Sequence, residues 1–265
     1  MSWILLTNDD GIDSPALIPF ARALGLLGEV RVCVPDSERS WVGKSITRFA
    51  DLTVRRVDAE VETWACSGTP ADSAQVGMHT IADEPPALVV SGINVGSNVG
   101  TAFLLSSGTV GAALEGWIAG IPSVAVSTRS TLLPWGEWVR FAVGPDAGPG
   151  WERLAEVSAE LVRDVVQGGL TTVADVVSIN TPWDADLHTP RRVTDVARVG
   201  YGPLFAQAEE QSARTFAFDG ELRAMDDGTD MDVEVLARGE VSITPLRAPS
   251  SVAIDQDLRN LIERR

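Results

Sequence analysis

Residues 4–15 read Ile4-Leu5-Leu6-Thr7-Asn8-Asp9-Asp10-Gly11-Ile12-Asp13-Ser14-Pro15. A short apolar run ends in a polar cluster with two adjacent carboxylates and a glycine. Such a run, bounded by turn residues, predicts a buried strand, here over Trp3–Thr7. Adjacent acids at its carboxyl end repel each other unless a proton or a cation intervenes. A hard divalent ion with oxygen ligands resolves that conflict, and Gly11 permits the turn that follows. Taken alone, a solvated turn built on Asp10-Gly11 explains the segment equally well.

The pattern continues outward. Similar runs lie at Val30–Pro35, Ala87–Ser91 and Ser123–Ser127, with helical patterns between them at Ser14–Leu27, Ala71–Ile81 and Val110–Ala119. This alternation predicts an α/β fold: a doubly wound, mainly parallel, Rossmann-like sheet with helices on both faces. In such sheets ligands bind beyond the carboxyl ends of the strands, near a reversal of strand order. Residues 51–66 alternate with a period near two and predict an antiparallel hairpin at the sheet edge. Residues 129–150 carry Pro134, Gly136, Pro145, Gly148, Pro149 and Gly150 around two tryptophans and read as an inserted loop. Residues 151–167 predict an amphipathic helix, Asp175–Asn180 a buried strand, and 185–245 an antiparallel extension ending in Val241–Pro245. The expected organisation is a catalytic α/β core over 1–184, an antiparallel extension over 185–247 used for oligomerisation, and a short C-terminal helix within 248–265.

Composition narrows the function classes. The chain has 265 residues, of which 45% are hydrophobic and 22% charged, which is ordinary for a globular protein and excludes disorder. Its apolar runs fall short of the roughly 18–20 residues of a membrane span. The N-terminus has no basic leader, so no secretory signal is expected. Cys33 and Cys66 cannot build a disulfide framework, and a reducing, cytoplasmic setting is the default. His79 and His188 are the two histidines, too few for an ordinary His/Cys zinc site. Any metal is therefore expected to be held by oxygen. The net charge of −16 argues against stable binding to nucleic acid. Lys44 is the sole lysine, so lysine-based phosphate cradles and Schiff bases are out.

Three further segments bear chemistry. Residues 35–47 (PDSERSWVGKSIT) follow the second strand and offer Ser40 as a neutral oxygen ligand; a polar loop is the plain alternative. Residues 91–98 (SGINVGSN) space Asn94 and Asn98 with glycines, and asparagine offers an oxygen to a metal or an amide to phosphate; a glycine-rich turn is the alternative. Residues 106–120 (SSGTVGAALEGWIAG) put Ser107-Gly108-Thr109 before a small-residue helix, whose free N–H groups suit a phosphate. An ordinary N-cap is the alternative there. All four segments are expected to converge on one edge of the sheet.

The chain resembles the SurE-type 5′/3′-nucleotidases. The resemblance rests on TNDDGIDSPAL (7–17), PDSERSWVGKSIT (35–47), SGTPADS (67–73), VVSGINVGSNVG (89–100), SSGTVGAALEG (106–116) and VSITPL (241–246), in that order. Residues 185–240 match only loosely, and the tract 129–150 is longer and richer in Trp and Pro. The resemblance implies metal ligands at Asp9, Asp10, Ser40 and Asn94, and hydrolysis of nucleoside 5′- and 3′-monophosphates with relaxed base preference and some polyphosphate cleavage. It also implies a homodimer or homotetramer. The expected cofactor is one divalent cation per subunit, Mg²⁺ or Mn²⁺. The expected catalytic residues are Asp9, Asp10 and Asn94, with phosphate held by Asn98, Ser107, Gly108 and Thr109. His79 and His188 are read as surface or packing residues, Cys33 and Cys66 as core. Trp135, Trp138 and Trp151 are candidates to stack a base, with packing or a subunit contact the favoured reading. A phosphorylation-receiver domain needs an acceptor Asp after a later strand, where this chain has Asn94. A haloacid-dehalogenase-type phosphatase needs two Asp one residue apart, and Asp9 and Asp10 are adjacent. The remaining alternative is a nucleotide-binding or sensor protein without turnover.

Overall fold

The computed structural model describes residues 3–263 except 203, 209–214, 219–221 and 225–227. Six strands are parallel: β1 (Ile4–Thr7), β2 (Val30–Pro35), β4 (Glu62–Cys66), β5 (Leu88–Val95), β6 (Ser123–Arg129) and β7 (Val176–Pro182). They lie in the order β4-β2-β1-β5-β6-β7. The chain winds outward from β1 to one side, then returns and winds outward from β5 to the other. That reversal opens a crevice beyond the carboxyl ends of β1 and β5, where doubly wound sheets bind ligands.

The sheet grows at both edges. β3 (Val54–Val57) pairs antiparallel with β4, giving the expected edge hairpin. β4 itself lies parallel to β2, with Thr63, Ala65 and Cys66 buried. At the far edge β13 (Val241–Leu246) runs antiparallel to β7, and β8 (Arg191–Val193) pairs parallel with it. The segment expected to close an antiparallel extension is therefore part of the main sheet, as its run of buried residues Val241–Thr244 requires. β9 (Val199–Tyr201) pairs with β12 (Leu222–Ala224), and β10 (Phe205–Ala208) with β11 (Thr215–Phe218), as two antiparallel ribbons.

Helices cover both faces. α1 (Leu17–Leu24) and α6 (Gly148–Gln167) share one core with Leu6, Val32, Val90 and Val126. Buried Leu154, Val157, Leu161, Val162 and Val165 recur along α6 at helical spacing. On the other face α2 (Pro70–His79) packs with α4 (Gly108–Ile118). α2 starts at a capping box, in which the Thr69 hydroxyl and the Asp72 carboxylate each accept the other residue's N–H. α4 lies close to its neighbours because its residues are small: a Cβ on Gly111 would stand 2.6 Å from the Gly43 carbonyl oxygen.

The tract 129–150 differs from the expected loop. It holds α5 (Trp135–Ala142), a 3₁₀ turn at Pro145–Ala147 and the first residues of α6. Trp138 and Ala142, one helical turn apart, are fully buried, and Trp138 packs with Trp151 and Trp183. The glycines and prolines that suggested a loop fall at element boundaries. The shorter helices are α3 (Thr101–Ser106), α7 (Leu170–Val173), α8 (Asp232–Ala237) and α9 (Gln256–Ile262). Among the described residues no helix is long and apolar enough to cross a membrane.

Candidate active site

The carboxyl ends of β1, β5 and β6 and the start of α4 surround a cavity of about 670 Å³. Asp9, Asp10, Ser40, Asn94, Asn98 and Ser107 all line it. The turn after β1 is set by Asn8, which is buried; its side chain accepts the Gly11 N–H and donates to the Gly11 carbonyl, both at 3.0 Å. Gly11 takes φ +83°, and a Cβ there would stand 2.7 Å from the Ser37 backbone. The Arg39 N–H donates to the Asp9 carbonyl at 2.8 Å, tying the Ser40 loop to β1.

Asp9 is buried at the N-terminus of α4. The Thr109 hydroxyl donates to its Oδ1 at 2.6 Å, and the Thr109 N–H also donates to the carboxylate. A Cβ on Gly108 would stand 2.8 Å from the Asp9 Cβ, so only glycine lets the helix approach so closely. Burial pushes the Asp9 carboxyl up to about 6, against the lowering effect of the Thr109 hydrogen bonds. Asp10 Oδ2 accepts the Val95 N–H at 2.9 Å. Burial, then the neighbouring Asp9 charge, hold the Asp10 carboxyl well above the usual carboxylate range. Neither acid pairs with a Lys or Arg among the described residues.

Asn94 sits where the β5–β6 register shifts. Its Nδ2 donates to the Gly96 carbonyl at 2.7 Å, which leaves Oδ1 without that tie. Ser40 is exposed at the cavity mouth and donates to Glu38 Oε1 at 2.7 Å. Asn98 is fixed at three points: its N–H donates to Asn180 Oδ1 at 2.8 Å, and its Nδ2 to Ser127 Oγ at 2.8 Å and Thr109 Oγ1 at 3.3 Å. Ser107 caps α4 by accepting the Val110 N–H at 3.1 Å.

The chemistry of this set fits a hard cation. Two adjacent carboxylates, Asp9 buried and Asp10 half-buried, have raised pKa values and lack a basic partner, and neutral oxygens from Asn94 and Ser40 line the same cavity. Among the described residues no three His, Cys, Asp or Glu side chains cluster to hold a metal, so neutral oxygens must complete any shell here.

Two expectations need correction. The Thr109 hydroxyl is not placed to meet phosphate: it is fully buried, and its proton goes to Asp9. Neither Thr109 nor Gly108 lines the cavity; Ser106 and Ser107 do. Lys44 does not face the cavity either. It pairs with Glu115 of α4, which is buried and also accepts from Gln75 at 2.6 Å.

Sequence reasoning missed two lining residues. Arg129 ends β6 and lines the cavity, but the expected strand stopped at Ser127, two residues short of the ligand-binding edge. Ser14 lines it with a buried hydroxyl that has no partner. Trp135 lines it as well, while Trp138 and Trp151 are buried in the core. His79 and His188 are exposed, and Cys33 and Cys66 are buried and free.

Fold and cavity together define a Rossmann-like α/β protein with an acidic, oxygen-lined ligand site at its topological switch point. The sequence profile of the family described as Survival protein SurE matches residues 4–202. The chain belongs to that family. It is 37% identical over 248 residues to 5′-nucleotidase SurE of Methanocella arvoryzae, covering 92% of this chain and 91% of that one. It is 34% identical over 245 residues to 5′-nucleotidase SurE of Geobacter sulfurreducens, covering 92% and 87%. The crystal structure of the SurE protein from Aquifex aeolicus superimposes with a TM-score of 0.75 at 29% identity, covering 98% of both chains.

Proposed function

We propose that the chain is a hydrolase of the 5′-nucleotidase class, releasing phosphate from nucleoside 5′-monophosphates with the help of a divalent cation. The observation that carries the reading is the pair of adjacent carboxylates, buried Asp9 and half-buried Asp10, lining a nucleotide-sized cavity with no basic partner. The names of the relatives support the same reaction.

Asp9, Asp10, Ser40 and Asn94 would hold the cation, Mg²⁺ or Mn²⁺. When bound, it supplies positive charge to the phosphate oxygens and lowers the pKa of water. Asp9 is held in one orientation by Thr109 and by the close approach of Gly108. Asp10, fixed through Val95, presents its second oxygen to the cavity and orients the attacking water. Ser107 has used its oxygen as a cap acceptor, so its hydroxyl proton is available to a phosphate oxygen. The α4 dipole adds fixed positive character where charge develops. Asn98, tied to Asn180 and Ser127, sets the shape of this wall.

Cleavage of 3′-monophosphates and of short polyphosphate belongs to the same proposal, because the catalytic groups contact only the phosphate. A homodimer or homotetramer assembled through 185–247, and a cytoplasmic location, are further parts of it. The test is phosphate release from a panel of nucleoside 5′- and 3′-monophosphates with added Mg²⁺ or Mn²⁺. Release from 5′-monophosphates is expected. Tight nucleotide binding without release from any of them would make the chain a binding protein instead.

A further inference from the structure

We propose that Arg129 makes this cavity selective for nucleobases that present a pair of acceptors, guanine and hypoxanthine, over adenine. The proposal rests on the nucleotidase reading for the placement of the phosphate.

Arg129 is the last residue of β6 and is half-buried in the cavity wall. Asp9, Asp10, Asp13 and Glu38 line the same cavity, in a protein with a net charge of −16. Even so, among the described residues the Arg129 guanidinium makes no ion pair or side-chain hydrogen bond. A half-buried cation left unpaired in a cavity that four carboxylates also line keeps its five donors for something that enters it.

Its position says which part of a nucleotide that is. Ser127, two residues earlier on β6, bonds Asn98 in the phosphate wall. Residues i and i+2 of a strand share a face, so Arg129 starts about 6–7 Å further out on that face. It lies beyond the phosphate, toward the sugar and base. The same cavity has aromatic walls. Trp41 and Phe103 meet edge to face at 5.5 Å, and Trp135 stands against Gly96, its ring 3.1 Å from where a Cβ would lie. Trp41 is 46% exposed and Trp135 52% exposed, so both offer ring surface to a flat ligand.

An arginine fork at the edge of a stacked base matches the O6 and N7 acceptors of guanine or hypoxanthine. Adenine places an amino donor at that edge, so two donors would face each other. A second phosphate is the competing occupant. One arginine among four carboxylates does not offset another dianion, and the cavity favours a neutral acceptor pair.

The test uses nucleosides, which carry no phosphate and are not turned over. Calorimetric titration of the native protein with guanosine, inosine and adenosine is expected to show guanosine and inosine binding about tenfold or more tighter than adenosine. In Arg129→Ala the ratio is expected to fall to about twofold or less, and Arg129→Gln should also lose the guanosine preference. Equal affinities in the native protein, an adenosine preference, or a ratio unchanged in Arg129→Ala would each overturn the proposal. So would tighter binding of a nucleoside 3′,5′-bisphosphate than of the 5′-monophosphate that disappears in Arg129→Ala. Selective guanosine binding without phosphate release from any nucleotide would sink the nucleotidase reading and leave the base site standing.

Discussion

Asp9 carries its charge where water cannot solvate it, and Asp10 adds a second charge beside it. A carboxyl whose pKa rises from the ordinary 3.8 to about 6 in the folded chain binds its proton more tightly when folded. Its contribution to metal-free stability is therefore full below about pH 4 and is lost as pH rises through about 6. Asp10→Asn removes the repulsion, so the metal-free variant should be more stable than the native chain at pH 7 by about 1–3 kcal/mol, with the gap closing toward pH 4. Thermal unfolding at both pH values measures this, and a variant less stable at pH 7 would contradict it. Thr109→Val removes a charge-assisted hydrogen bond worth about 1.5–3 kcal/mol. Because that bond goes to Asp9, kcat/KM should fall about tenfold at limiting metal and recover when metal is raised. A loss that persists at saturating metal and appears only as a higher substrate KM would instead place Thr109 on the substrate. Asp9, Asp10, Asn94 and Asn98 were legible because acids and amides follow strand-like runs directly. The role of Thr109 was not: its partner lies 100 residues away, and nothing local distinguishes a hydroxyl aimed at phosphate from one aimed at a carboxylate.

At the scale of elements, the site depends on how the loop after β2 is fastened. Gly43 donates its N–H to the Ser106 carbonyl at 2.9 Å, the Ser45 carbonyl accepts from the Thr69 hydroxyl at 2.6 Å, and the Thr47 N–H donates to Asp72 at 3.0 Å. Lys44 adds the ion pair to buried Glu115. Lys44→Met leaves that carboxylate with Gln75 alone and should destabilise the protein by about 1–3 kcal/mol. The value lies between those of exposed and buried pairs because Lys44 is partly exposed. Chemical denaturation checks this, and an unchanged midpoint would show that the pair contributes nothing. Strands β1, β2, β5 and β6 could be read from their apolar runs because parallel strands buried on both faces have no other pattern. α5 could not, since Pro134, Gly136 and Pro145 mark its boundaries in the same residues that mark loops. The place of β13 was equally hidden, because pairing with β7 across the intervening ribbons leaves no local trace.

The whole molecule carries a net charge of −16, and its substrate is an anion. Long-range repulsion should slow their encounter, so moderate salt at fixed metal should raise kcat/KM. A steady fall in kcat/KM with salt would point to an attractive field at the cavity. The ribbons formed by β9–β12 present edges that need a partner or a cover, and light scattering at micromolar concentration should find a dimer or tetramer. A monodisperse monomer would contradict that assembly. The βα alternation made the sheet and its ligand edge legible from sequence. Which side chains share the cavity was fixed only by the winding of the sheet, which brings Arg129 and Asp9 to one cavity. The central claim is that Asp9 and Asp10 hold a divalent cation for phosphomonoester hydrolysis. It is tested most directly by phosphate release from a nucleoside 5′-monophosphate after chelation and metal re-addition, in the native chain and in Asp10→Asn. The account predicts release that vanishes on chelation, returns with Mg²⁺ or Mn²⁺, and is lost by at least about a hundredfold in Asp10→Asn. Undiminished release after exhaustive chelation, or a near-native rate in Asp10→Asn at saturating metal, would contradict it.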